Sequence, residues 1–223
     1  MQRILWERLI IALDLKDENK IKNMVGVFKN KKVKFKIGLI AFTKFGPSLV
    51  KKLIKNNIDV FLDLKLYDIP NTMLETSKVI AELGCWAFTV HIKAGKENLK
   101  NLKEELVKFC KEKKIKVPLV LGVTELTSNC AKVEDVLKLA EIAYFSNLDG
   151  VIASAKEVKF IKEKFKNLKV ITPGIRPLNY NSYDQKRITT AKEAFSLGAD
   201  YIVVGRPIIE ARDYFKAVKD IFS

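Results

Sequence analysis

Asp63, Lys65 and Asp68 bring three ionisable side chains together within six residues, in the stretch Asp63-Leu64-Lys65-Leu66-Tyr67-Asp68-Ile69-Pro70-Asn71-Thr72. The run before them, Asp59-Val60-Phe61-Leu62, has the content of a buried strand. Charge at the end of such a strand is costly unless it is paired, so alternating charges there point to use. A lysine set among carboxylates is a candidate for general acid–base work. It suits Schiff-base chemistry poorly. That chemistry needs a neutral lysine, and opposite charges alongside favour the charged form. The single histidine, His91, excludes a multi-histidine zinc site and leaves acid–base work to Lys, Asp and Glu.

A second signal lies near the end of the chain, in Thr172-Pro173-Gly174-Ile175-Arg176 and Val203-Val204-Gly205-Arg206-Pro207. Gly205 lets a backbone approach a ligand closely. Arg206 offers a fork of donors matched to phosphate oxygens, and Pro207 fits the first turn of a helix. Between these segments runs the polar stretch 177–187, long for a connection between strand and helix. Its composition fits a lid over a phosphate and a plain surface loop about equally.

These residues need elements to position them. Strands are predicted over 9–15, 33–39, 60–66, 87–92, 117–123, 150–154, 170–175 and 201–205. Helices are predicted over 17–30, 43–56, 71–83, 96–113, 133–146, 156–165, 190–197 and 207–222. Strict alternation implies a parallel sheet. Eight repeats in 223 residues predict an α/β fold, a (β/α)8 TIM barrel spanning 1–223 as a single domain. An open doubly wound sheet is the rival, but a Gly-rich turn should then follow the first strand, and Asp14-Leu15-Lys16-Asp17 stands there instead.

Side-chain parity sharpens the picture. Val60, Leu62, Leu64 and Leu66 share one face of the third strand, Phe61, Asp63 and Lys65 the other. With the apolar face against the helices, Asp63 and Lys65 point into the barrel near its C-terminal mouth, where such barrels do their chemistry. The same logic turns Lys36 and Asp14 inward.

Composition bounds the rest. The chain is 48% hydrophobic with 10 Gly and 6 Pro, which suits a packed core rather than disorder. No apolar run approaches the ~18 residues of a membrane span, and the first 15 residues lack the core of a signal peptide. Cys85, Cys110 and Cys130 show no paired spacing and read as reduced thiols of a cytoplasmic protein. The net charge of +15 invites a nucleic-acid partner. However, the lysines lie along predicted helices, as at Lys100, Lys103 and Lys108, without interleaved aromatics. They read as solvated faces, and neither nucleic acid nor membrane is expected as a partner.

The motif Asp63-x-Lys65-x-x-Asp68-Ile69-Pro70-Asn71-Thr72 resembles the signature of the orotidine 5′-phosphate decarboxylase family in its bacterial type. Ala12-Leu13-Asp14, Lys36-Ile37-Gly38, Val90-His91, Leu126-Thr127-Ser128, Asp184-Gln185-x-Arg187 and the two segments near the end of the chain support it in order. The resemblance runs from Leu9 to Pro207 and implies decarboxylation of orotidine 5′-monophosphate to UMP, the last step of pyrimidine synthesis. It implies no metal, no organic cofactor and a homodimer with shared active sites. By resemblance, Lys65, Asp63, Asp68 and Lys36 form the catalytic group, with Lys65 as proton donor and Asp63 beside the leaving carboxylate. Asp68, Ile69 and Thr72 would reach the partner's site, and Asp14 and Lys36 the ribose hydroxyls. Thr127, with Ser128 beside it, would contact the pyrimidine, and Arg176, Gln185, Gly205 and Arg206 the phosphate. The stretch His91-Ile92-Lys93-Ala94-Gly95 departs from the usual small-residue pattern, and His91 reads as a hydrogen-bonded structural residue. A magnesium-dependent hexulose-phosphate synthase shares the Asp-x-Lys-x-x-Asp core but not the continuation Ile69-Pro70-Asn71-Thr72.

Overall fold

Eight runs of β-branched and apolar residues form short parallel strands, and the amphipathic segments between them wind into helices outside. The computed structural model describes residues 4–125, 132–177 and 189–223. Strands β1 (Leu9–Ala12), β2 (Lys34–Gly38), β3 (Val60–Leu66), β4 (Ala87–His91), β5 (Leu119–Val123), β6 (Gly150–Ile152), β7 (Lys169–Thr172) and β8 (Tyr201–Val204) pair in chain order. β8 returns to pair with β1 and closes the barrel. Around it lie α1 (Glu18–Phe28), α2 (Leu39–Lys55), α3 (Pro70–Leu83), α4 (Lys96–Glu112), α5 (Val133–Phe145), α6 (Ala155–Lys164), α7 (Ala191–Ser196), α8 (Arg206–Ile209) and α9 (Tyr214–Ile221). The fold is a (β/α)8 TIM barrel, as the alternation predicts.

Parity divides the core into two layers. Ile11, Phe35, Ile37, Val60, Leu62 and Phe88 pack outward against the helices. Ile10, Ala12, Phe61, Ala87, Leu121, Ile171 and Val203 fill the barrel itself. The floor is plugged by Lys34, whose ammonium donates to the Glu7 carbonyl at 2.9 Å and lies 5.0 Å from the Trp86 ring centroid and 5.4 Å from that of Tyr201. Burial pushes the Lys34 ammonium below its ordinary range, against the pull of Asp59 and Glu7.

Two matching clips tie strands to helices. Asp149 accepts from the Val120 amide and pairs with Lys103 of α4. Asp200 accepts from the Val170 amide and pairs with Lys162 of α6. Lys103 is therefore a structural ion-pair partner and not part of a solvated face.

The structure corrects two predicted helices. The segment 43–56 begins earlier, at Leu39, and breaks at Gly46, whose φ of 61° is left-handed and suits a residue without Cβ. Pro47 has no amide to continue the ladder across the break. The helix predicted over 207–222 is two helices, because Asp213 accepts from the Lys216 amide and caps a new start at Tyr214. Among the described residues, no helix is long and apolar enough to cross a membrane.

Candidate active site

The C-terminal ends of the strands surround a cavity of about 520 Å³. The segment just after β1 contributes Asp14 to its wall, β2 and β3 contribute Lys36, Asp63 and Lys65, and the far side carries Arg176, Gly205 and Arg206. The four charges that parity turns inward meet in a chain. The Lys36 ammonium lies 3.4 Å from Asp14 Oδ1 and 3.2 Å from Asp63 Oδ2, and the Lys65 ammonium 2.9 Å from Asp63 Oδ1. Asp63 is the hinge of this chain, with a lysine on each oxygen. Burial alone would raise its carboxyl, but Lys36 and Lys65 outweigh that and hold it below the ordinary 3.8.

The backbone under Lys65 is not regular strand. Leu62 pairs with Phe88 and Leu66 with Val90, so four steps along β3 match two along β4. Within this bulge Lys65 has φ 53°, a conformation that costs a non-glycine residue about 1–3 kcal/mol and collects at functional sites. Side-chain parity reaches the right direction for Lys65, while the bulge sets where its ammonium arrives.

Gly38 is a site residue that sequence reasoning did not single out. It pairs with Asp63 across β2 and β3, and a Cβ on it would stand 2.7 Å from Asp14 Oδ1 and 3.0 Å from the Lys36 ammonium. The absent side chain is what lets that pair close. Thr89 was also missed. It is fully buried, accepts from the Lys65 amide at 2.9 Å and donates to Asp63 Oδ1 at 3.0 Å. Its one sequence signal is parity, since it lies between the inward positions of Ala87 and His91. Glu125 lines the cavity and pairs with Lys93 at 2.8 Å.

His91 has a structural place. Its Nδ1 accepts from the Lys93 amide at 3.3 Å, which caps a 3-10 turn over Ile92–Ala94. Burial and the neighbouring Lys93 push its imidazole below 6.5. Cys85 and Cys110 are buried, and burial pushes the Cys85 thiol up to about 12, so it serves as core filler. Among the described residues, no three His, Cys, Asp or Glu side chains gather as a metal-binding group.

The chain has counterparts among known proteins. The model of the orotidine 5′-phosphate decarboxylase / HUMPS family matches residues 7–221. The chain belongs to this family. A decarboxylase of that name from Psychromonas ingrahamii is 37% identical over 99% of this chain and 98% of its own length. One from Vibrio vulnificus is 39% identical over 93% of each. The crystal structure of orotidine 5′-phosphate decarboxylase from Lactobacillus acidophilus superposes with a TM-score of 0.80 at 38% identity, covering 96% of both chains.

The remaining site residues expected from the sequence fall in three places. Arg176, Gly205 and Arg206 line the cavity, with the buried Arg176 donating to the Ile175 carbonyl at 2.8 Å. Asp68, Ile69 and Thr72 are exposed on the rim before and within the first turn of α3, outside the cavity of their own chain. Asp68 Oδ1 accepts from the Ile69 amide at 2.7 Å. Thr127, Ser128 and Gln185, and nearly all of the stretch 177–187, lie outside the described residues.

Proposed function

We infer that the barrel mouth decarboxylates orotidine 5′-monophosphate to UMP and CO2, the last step of pyrimidine synthesis, with Lys65 as the group that meets the reacting carbon. Family membership along nearly the whole chain supports the substrate and reaction. The observation that carries the residue assignment is the Asp63 carboxylate bracketed by two ammoniums at 3.2 and 2.9 Å.

The C6–carboxylate bond breaks, CO2 leaves, and the electron pair stays on C6. An ammonium fixed beside that carbon stabilises the charge as it develops. The Lys65 ammonium then gives its proton to form the C6–H bond, and the neutral amine regains a proton from solvent. Asp63 faces the substrate carboxylate with like charge, and that repulsion leaves with CO2. It also holds Lys65 in advance, so little reorganisation accompanies the reaction. Asp14 and Lys36 hold the ribose hydroxyls. Arg176 and Arg206, on the far side of the cavity, take the phosphate, with Gly205 leaving room for it; by resemblance Gln185 also serves the phosphate, and Thr127 with Ser128 the pyrimidine. Binding energy from the phosphate offsets strain at the reacting end. The reaction on this reading uses neither metal nor organic cofactor.

The reading includes a cytoplasmic homodimer. Tyr67 and Ile69 are 62% and 66% exposed, and Leu39 is 58% exposed on the neighbouring rim. Large apolar side chains grouped at a mouth in this way suit burial by a second copy. Asp68, Ile69 and Thr72 then serve that copy's cavity, where Asp68 completes the carboxylates around its Lys65. The positive net charge draws in an anionic nucleotide.

Purified protein with chelator present should consume orotidine 5′-monophosphate, followed as loss of the substrate's absorbance, and Lys65→Ala should abolish turnover while leaving the fold intact. Protein inactive in chelator but active on a sugar phosphate with magnesium would overturn the reading. Mixing Lys65→Ala with Asp68→Ala protein should restore up to about a quarter of wild-type activity, since half the dimers are hybrids with one intact site each. No recovery after demonstrated subunit exchange would rule out shared sites.

A further inference from the structure

We propose that Thr89 is a positioning residue for the decarboxylation, one hydroxyl that fixes both the backbone under Lys65 and the orientation of the Asp63 carboxylate. The proposal rests on the role of Lys65 given above and adds a residue that does not line the cavity and so does not touch substrate.

The bulge creates the need. Between Leu62 and Leu66, β3 loses its register with β4, and Lys65 has no paired position on that strand. A buried amide without a partner is costly. The Thr89 hydroxyl takes that amide at 2.9 Å in place of a backbone carbonyl. The left-handed backbone of Lys65, at φ 53°, is thus held from the neighbouring strand by a side chain.

The same oxygen fixes the second contact. A hydroxyl has a single proton to donate. Its oxygen accepts from Lys65, and the ionised Asp63 carboxylate has no proton to give, so the Thr89 proton points at Asp63 Oδ1, 3.0 Å away. That Oδ1 also receives the Lys65 ammonium at 2.9 Å. Backbone amide, hydroxyl, carboxylate and ammonium form a closed ring that begins and ends on Lys65. Thr89 has no exposure to solvent, so water does not compete for either bond. A β-branched side chain adds stiffness, because its χ1 has few alternatives.

The ring gives Thr89 two separable effects. It sets where the Lys65 ammonium sits, which acts on the chemical step and not on substrate affinity. It also donates to the charged form of Asp63, which favours that form. Thr89→Val keeps the shape and removes the hydroxyl, whereas Thr89→Ser keeps the hydroxyl. The Val variant should lose about 30-fold in kcat, as misplacement by a fraction of an ångström to an ångström does, with KM within about threefold and the acid limb of the rate profile moved to higher pH. The Ser variant should recover kcat to within about fivefold of wild type and restore the acid limb. Should Thr89→Val fold poorly, Thr89→Ala compared with Thr89→Ser makes the same test. A measurement without turnover separates this proposal from the assigned reaction: carbon-13 NMR of labelled aspartates, in which the Asp63 titration moves upward in Thr89→Val. Wild type inactive on the substrate with the Asp63 titration still moved would sink the reaction and leave the clamp. A Thr89→Val variant with wild-type kcat, or an unmoved Asp63 titration, would overturn the clamp.

Discussion

Asp63→Asn tests the centre of the site, because asparagine keeps the shape of Asp63 and can serve only one of its two sides. The amide oxygen can accept from Lys65 and Thr89, but the amide nitrogen then faces the Lys36 ammonium, at the position where a carboxylate oxygen lies 3.2 Å from it. Flipping the amide moves the conflict to Lys65. Each contact is worth about 5 kcal/mol gross at an effective dielectric of about 20. Removing one partner of a buried pair typically costs about 3–5 kcal/mol once desolvation is counted. The Lys65 side chain is 34% exposed against 13% for Asp63, so water recovers part of its share and the low end, about 3 kcal/mol, applies. For a chain of this size that lowers Tm by about 6–12 °C. Turnover should fall at least about 100-fold, since the ammonium is no longer held for the reacting carbon. The stability effect has a pH signature. Asp63 titrates below 3.8 in the fold, so its contribution is full above the unfolded value and is lost as pH falls through the folded one. Urea unfolding of both proteins should show a constant gap from neutral pH down to about 5, closing at lower pH. A Tm within about 2 °C of wild type at neutral pH, a gap independent of pH, and kcat/KM within tenfold would refute the reasoning.

Gly38→Ala should raise KM for the nucleotide about tenfold, the loss of one charge-assisted contact, with little change in Tm, because Gly38 has an ordinary φ of −96° and the clash falls on the movable end of Asp14. Steady-state kinetics decides this, and an unchanged KM would mean that Asp14 needs no such room. Lys34→Met tests the barrel floor. The Lys34 ammonium is depressed below 10.5 by burial, so the penalty for charging it is fully present at neutral pH and is relieved as pH rises toward 10.5. Wild type should therefore gain stability relative to Lys34→Met across that range in thermal melts, and a constant difference would contradict it.

Much of the site was legible because strand parity is a local property. Alternation along 60–66 was enough to turn Phe61 and Asp63 inward, and the same rule placed Lys36 and Asp14 beside them. The exposed rim position of Asp68, Ile69 and Thr72 likewise follows from the motif running past the strand end into Pro70 at the head of α3. The break at Gly46-Pro47 was written in the sequence too, as a punctuating pair within an otherwise helical pattern. The Asp213 cap carried a weaker signal, since Asp is common on helix surfaces as well as at their starts.

Other features depend on residues far apart in the chain. The bulge at Lys65 exists only relative to β4, and the bond from its amide to Thr89 spans 24 residues. The need for glycine at position 38 comes from Asp14 and Lys36 approaching one another across two strands. Lys103 looked solvated until Asp149, 46 residues on, came to face it. The sequence by itself determined which residues face into the barrel and which chemistry they could carry, because side-chain direction repeats every two residues whatever lies alongside. Tertiary structure alone decided how the charges meet, because register, bulge and closure belong to pairs of strands, and there a shift of one residue changes every contact.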